Sequence, residues 1–114
     1  MNTLADAAAG FAGIYNAQDK LVEEQRGWSR VIALVSTDTE EAVSIHVVNG
    51  RIAEVRGGDS GADVVVASEN AVLRDILESR RSPNEPYMFG ELTVRGPEAD
   101  FLRLDYITTM LCPN

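Results

Sequence analysis

The chain has 114 residues, 45% of them hydrophobic, and ten Lys and Arg against 18 Asp and Glu leave a formal charge of −8. That length suits one domain, spanning 1–114, and excludes a two-domain enzyme with its own cofactor fold. The apolar content excludes a disordered chain, and the negative charge argues against nucleic-acid binding and against polybasic docking on anionic lipid.

No run approaches the ~20 apolar residues of a membrane span, so stable membrane insertion is not expected. Met1 to Ala9 lack a basic stretch followed by an apolar one, which argues against a signal peptide and for a cytoplasmic protein. Cys112, the single cysteine, has no partner for an internal disulfide or a multi-thiolate zinc site. Beside Pro113 it reads as a small apolar residue or a tail thiol.

Apolar residues at three- and four-residue spacing from Leu4 to Val22 predict one N-terminal helix within residues 1–26, from Thr3 to about Gln25. Thr3 and Asp6 form a candidate capping pair, and Gly27 is placed to end the helix. Gly10 and Gly13 mark either a bend or a close backbone approach. The period then changes to two. Arg30 to Val35 is a near-continuous apolar run, the pattern of a strand covered on both faces. Val43, Ile45 and Val47 alternate with Ser44 and His46, which predicts a strand with one wet face. Asn49-Gly50 then supplies a tight hairpin turn into Arg51 to Arg56, so three strands make a meander.

A glycine-rich loop from Gly57 to Gly61 precedes a fourth strand, Ala62 to Ala67. Ser68 is a candidate N-cap for a helix whose apolar stripe is Val72, Leu73, Ile76 and Leu77. Two prolines within Arg80 to Pro86, Pro83 and Pro86, predict a loop. Leu92 and Val94 form a short fifth strand between Gly90 and Gly96, and a last helix starts at Pro97 and runs to about Leu111. The fold class is therefore α+β: a mainly antiparallel five-stranded sheet covered by helices.

This order of elements resembles the sterol carrier protein 2 family over roughly residues 28–111. The resemblance rests on the strand–Asn49-Gly50–strand hairpin, on Gly61-Ala62-Asp63-Val-Val-Val-Ala67-Ser68 entering a helix, and on Gly90-Glu-Leu-Thr-Val-Arg-Gly96 before the final helix. Two positions depart from the family pattern. Glu78-Ser79 stands where a glycine usually follows the helix, and Pro97 where an acidic residue often follows the second glycine. The resemblance implies an apolar tunnel between sheet and helices that binds fatty acyl chains, sterols or other apolar molecules, with no cofactor.

Two features of the residues themselves bear on such a tunnel. The last helix carries one apolar stripe of Phe101, Leu104, Ile107 (or Thr108) and Leu111 and a second of Leu102, Tyr106 and Met110. A helix on one sheet needs a single stripe, so the second meets the N-terminal helix, a second subunit or a ligand. Tyr87-Met88-Phe89 is a bulky, adaptable trio that suits either a pocket wall or a plug at the sheet edge. The expected ligand contacts are Tyr87, Met88, Phe89, Phe101, Leu104, Ile107, Met110 and Leu111. Trp28 reads as a core or interface anchor.

Chemistry is thinly encoded. His46 is the only histidine and sits on the polar side of its strand, and no cluster has metal-ligand spacing. Asp105, with Tyr106 and Tyr87, is the one candidate acid–base constellation. A carboxylate facing an oily cavity would have a raised pKa, whereas one facing water would pair with Arg103 or another base. The leading expectation is a non-catalytic carrier of an apolar ligand. The alternatives are a small cofactor-independent isomerase or cyclase using the same pocket, and a structural homodimer.

Overall fold

A computed structural model describes residues 3–111. The N-terminal segment forms two helices, α1 (Leu4–Asn16) and α2 (Asp19–Glu24). Both halves of the Thr3–Asp6 capping box are present, with Asp6 N–H donating to Thr3 Oγ1 at 3.1 Å and Thr3 N–H to Asp6 Oδ2 at 3.2 Å. The single long helix expected here is interrupted at Ala17-Gln18, and neither glycine causes the break. Asn16 uses its side-chain amide as a strand partner, donating to Ile52 O at 2.9 Å and accepting Ile52 N–H at 3.0 Å. Pinning Asn16 to the sheet edge redirects the chain. A Cβ added at Gly10 or Gly13 meets nothing within 4 Å. Gly10→Ala should therefore raise stability by about 0.5–1 kcal/mol, read as a higher urea midpoint at constant m-value.

The five strands are β1 (Arg30–Ser36), β2 (Ala42–Val48), β3 (Arg51–Gly57), β4 (Val64–Ser68) and β5 (Leu92–Arg95), arranged β3-β2-β1-β4-β5. The β1–β2–β3 meander is present, and Asn49 and Gly50 both take positive φ in its second turn, at 50° and 83°. A bulge opposite His46/Val47 lets Ile52 and Val55 share the core side although they are three residues apart.

The sheet is mixed, not antiparallel throughout. β1 pairs with β4 in parallel, Ile32 opposite Val64 through Ser36 opposite Ser68. The 58–63 connection carries the chain from the edge strand β3 to the far side of β1, so β4 enters in the same sense as β1. Only Ala33 is fully buried on the second side of β1, and Val31 and Val35 are half-buried, so the expected cover on both faces is incomplete.

Helix α3 (Asn70–Leu77) buries Val72, Leu73, Ile76 and Leu77 as its stripe predicts. Ser68 does not cap it. It is the last residue of β4, its hydroxyl donates to Glu91 O at 2.6 Å, and Glu69 takes the N-cap position. The segment expected as a loop contains a short helix, α4 (Asn84–Met88). Pro86 is tolerated because it lies in the first turn, where a helix needs no N–H donor. Helix α5 (Glu98–Leu111) starts one residue after Pro97. The reading of Cys112 and Pro113 lies outside the described residues. No helix among the described residues is long and apolar enough to cross a membrane.

Candidate functional site

Between the sheet and helices α3 and α5 lies a partly open apolar cavity of about 70 Å³. The sheet contributes Ile32, Leu34, Ile45 and Val66 to its wall, and α3 contributes Leu73, Ile76 and Leu77. Pro83, Leu92, Phe101, Leu104 and Thr108 close it. Thr108 is the single hydroxyl in this lining, and its Oγ1 donates to Leu104 O at 2.8 Å and Asp105 O at 3.1 Å. The wall is therefore hydrocarbon apart from this hydroxyl, whose proton is already committed to backbone.

Helix α5 is held over this cavity by a polar clasp at one end. Asp100 is 3% exposed and accepts Trp28 Nε1–H at 3.0 Å and Arg30 Nε–H at 2.9 Å. Burial alone would lift the Asp100 carboxyl, but the hydrogen bonds from Trp28 and Arg30 outweigh it and hold the carboxyl below the ordinary Asp range. Arg103 adds a second tie. Its guanidinium lies 5.1 Å from the Trp28 ring centroid and donates to the buried Gln25. Asp100 is not among the site residues expected from the sequence, where its place in the first turn of α5 fits a complement to the helix dipole. Its signal was present: Asp100 heads the stripe continued by Leu104, Ile107 and Leu111, an unusual place for a carboxylate.

No family model matches the chain, and no curated protein matches it in sequence. Solved structures do match. A crystal structure of sterol carrier protein 2 superposes with a TM-score of 0.70 at 18% identity, over 93% of this chain and 89% of that one. A UbiJ-SCP2 ubiquinone synthesis protein matches at 0.71 and 16% identity, over 94% and 93%. The sterol carrier protein 2 of Aedes aegypti, in complex with the C16 fatty acid palmitate, matches at 0.67 and 18%, over 94% and 96%.

The chain has the sterol carrier protein 2 fold.

The motifs that carry the sequence resemblance have physical roles in this sterol carrier protein 2 fold. Asp63 starts β4 by extending the parallel ladder: its N–H donates to Val31 O and its Oδ2 accepts Val31 N–H, both at 2.8 Å. Gly90 ends α4 at φ 77°, with Gly90 N–H bonded to Tyr87 O and Glu91 N–H to Pro86 O. At Gly96 an added Cβ would stand 2.9 Å from Asp63 O, so this turn packs directly on the start of β4. Where the family pattern has a glycine after α3, Ser79 adopts the left-handed conformation itself, at φ 62°.

The expected contact residues fall into two groups. Phe101 and Leu104 line the cavity, Ile107 is buried in the adjoining core, and Leu111 is partly buried against it. Tyr87 is half-exposed, and its ring lies 4.4 Å, centroid to centroid, from that of Phe101. Met88 and Phe89 are 70% and 72% exposed, at the C-terminal end of the short helix α4, and Met110 is exposed on the outer flank of α5. Leu102, Tyr106 and Met110, the second stripe, border shallow depressions beside α2, where Tyr106 O–H donates to Glu24 at 2.9 Å.

Asp105 and Tyr106 therefore leave α5 in different directions, and Asp105 is not paired with Arg103, which turns to Gln25 and Trp28. Asp105 Oδ1 is buried with no hydrogen-bond partner among the described residues. Burial pushes its carboxyl above the ordinary Asp value. His46 Nε2 sits 3.2 Å from Ser44 Oγ on the side of β2 away from the cavity.

Proposed function

We propose that this protein binds an apolar molecule in the space between sheet, α3 and α5 and carries it in the cytoplasm without chemical change. The observation that supports this most is the cavity lining: hydrocarbon apart from one hydroxyl, whose proton is already bonded to backbone. A surface of that kind recognises apolar matter by shape and offers a polar substrate nothing. The palmitate held by the Aedes aegypti protein of the same fold agrees with this reading.

The cavity of about 70 Å³ is well below the roughly 300–1,000 Å³ of ordinary ligand pockets. A guest longer than a few carbons enters by widening it. The wall suited to yield is α4 with the Tyr87–Phe101 contact, because α4 is a single short turn with Met88 and Phe89 already in solvent. Displaced together, Tyr87, Met88 and Phe89 would join Phe101, Leu104, Ile107, Met110 and Leu111 in enclosing the guest.

Native mass spectrometry of gently purified protein should reveal a co-purified lipid, and an environment-sensitive fluorescent fatty acid should bind and brighten. Leu104→Trp, which fills the cavity, should weaken that probe by about tenfold or more. A protein that carries no apolar molecule and leaves the probe dark would overturn the reading.

A further inference from the structure

We infer that the face of the sheet turned away from the helices is a docking surface for a second copy of this chain, joining two sheets face to face in a weak dimer.

This face has no helix over it among the described residues. Ile32, Leu34, Ile45 and Val66 point to the cavity side, where α3 and α5 lie and where α1 packs beside α3. Alternate residues of the same strands point the other way. β1 sends Val31, Ala33 and Val35 there, and its parallel neighbour β4 adds Val65 and Ala67. β2 supplies Ala42, Ser44 and His46, with Ser44 Oγ 3.2 Å from His46 Nε2. A solvated sheet face normally carries polar and charged side chains, yet these three central strands bring no Asp, Glu, Lys or Arg to it.

The charges stand on the rim: Arg51, Glu54 and Arg56 on β3, Asp63 just before β4, and Arg95 on β5. An apolar centre inside a polar rim is the anatomy of an association surface. Three basic groups against two acidic ones leave this face close to neutral, whereas the whole chain carries −8. The acidic excess lies on the other sides, so two copies meet little repulsion when they approach sheet to sheet.

Strand order favours a second copy as the occupant. β1 is the middle strand of β3-β2-β1-β4-β5, so a two-fold axis parallel to it lays β1 on β1, β2 on β4 and β3 on β5 of the second copy. Ala42 then meets Ala67 of the second copy, since both flank Val35, and Ser44 meets Val65, since both flank Ala33. Small side chains on both sides suit the ~10 Å spacing of packed sheets. Arg95 makes no ion pair among the described residues, and the same axis brings it beside the Glu54–Arg56 pair of the second copy. Strands of four to seven residues, rising ~3.3 Å per residue and ~4.8 Å apart, give about 500 Å² per copy and about 1,000 Å² for the pair. That is the low end for a specific interface, so Kd should be on the order of tens of micromolar.

Sedimentation velocity of the full chain, from about 1 µM to 1 mM, should show the 12.4 kDa species give way to one of twice that mass. Ala67→Lys and Ala42→Glu each set a charge against the apolar surface of the other copy and should weaken association about tenfold or more. An equimolar mixture of the two variants should regain the dimer, because the substitutions face each other with opposite charge. Leu102→Asp, on the exposed flank of α5, should leave association unchanged. Thermal melts confirm that each variant is folded.

A chain that stays at 12.4 kDa throughout overturns the dimer. So does association that survives both Ala67→Lys and Ala42→Glu, or that is lost in Leu102→Asp. A mixture that associates no better than its separate components overturns the face-to-face arrangement. None of these substitutions lies in the cavity lining, so the carrier reading stands or falls separately.

Discussion

Asp100→Ala should destabilise the protein by about 3 kcal/mol, a large share of the 5–15 kcal/mol typical of a domain. Two donors lose their acceptor at once. Trp28 Nε1–H is left buried without a partner, at a cost of about 1–3 kcal/mol. Arg30, whose side chain is 40% exposed, regains much of its solvation, so its half of the loss is smaller. Asp100→Asn keeps an acceptor for one donor and gives up the charge, and should cost about half as much. Urea titration followed through Trp28, the only tryptophan, reports both the stability and the local environment of the clasp.

The pH dependence provides a separate check. The Asp100 carboxyl is held below its unfolded value, so its contribution is fully present above the ordinary Asp range and fades as pH falls through the folded pKa. The wild type should accordingly lose its advantage over Asp100→Ala in acid, the two stability curves converging below the usual carboxylate range. A gap that stays constant down to strongly acidic pH, or a cost below about 1 kcal/mol at neutral pH, would show that the clasp does not hold α5.

Where local sequence decides the backbone, the structure follows the sequence closely. The alternation of Val43, Ile45 and Val47, the Asn49-Gly50 turn, the stripe of α3 and the Thr3–Asp6 cap each depend on residues within one or two turns of each other. The differences arise where a distant partner overrides local preference. Asn16 interrupts an otherwise continuous helical pattern because Ile52, 36 positions away, offers it an unpaired strand edge. Ser68 is a good N-cap by type, yet Glu91 O claims its hydroxyl. Ser79 hides a helix terminus that a glycine would have announced, and two prolines suggest a loop at α4 although Pro86 stands where a helix accepts one.

The site divides along the same line. Phe101 and Leu104 are legible as cavity residues because helical spacing puts them on one stripe. The sheet-side wall of Ile32, Leu34, Ile45 and Val66 is indistinguishable in sequence from ordinary core, since a strand lining a void and a strand packed solid share one alternation. Asp100 and Asp105 show the limit most clearly. Both are carboxylates on the same helix five residues apart. One is satisfied by Trp28 and Arg30, some 70 residues upstream, and the other has one oxygen, Oδ1, buried without a partner among the described residues. Only the tertiary arrangement separates them.

Gly50→Ala should cost about 3 kcal/mol or more, because two penalties coincide at this position. The residue sits at φ 83°, where a side chain is strained by about 1–2 kcal/mol. An added Cβ would also stand 2.8 Å from Gln25 C and O and 2.9 Å from Val22 O, all backbone atoms at the end of α2. These atoms cannot swing aside as a side chain would. Moving them disturbs Gly50 N–H to Trp28 O at 2.8 Å and Tyr15 O–H to Gly50 O at 2.5 Å, the bonds that seat the N-terminal helices on the hairpin. Gly58→Ala isolates the first penalty, since Gly58 has φ 90° and nothing within 4 Å of an added Cβ. It should lose only about 1–2 kcal/mol. Equal losses at the two positions, measured by urea unfolding, would show that backbone strain alone fixes glycine at the turn and that α2 does not depend on contact with it.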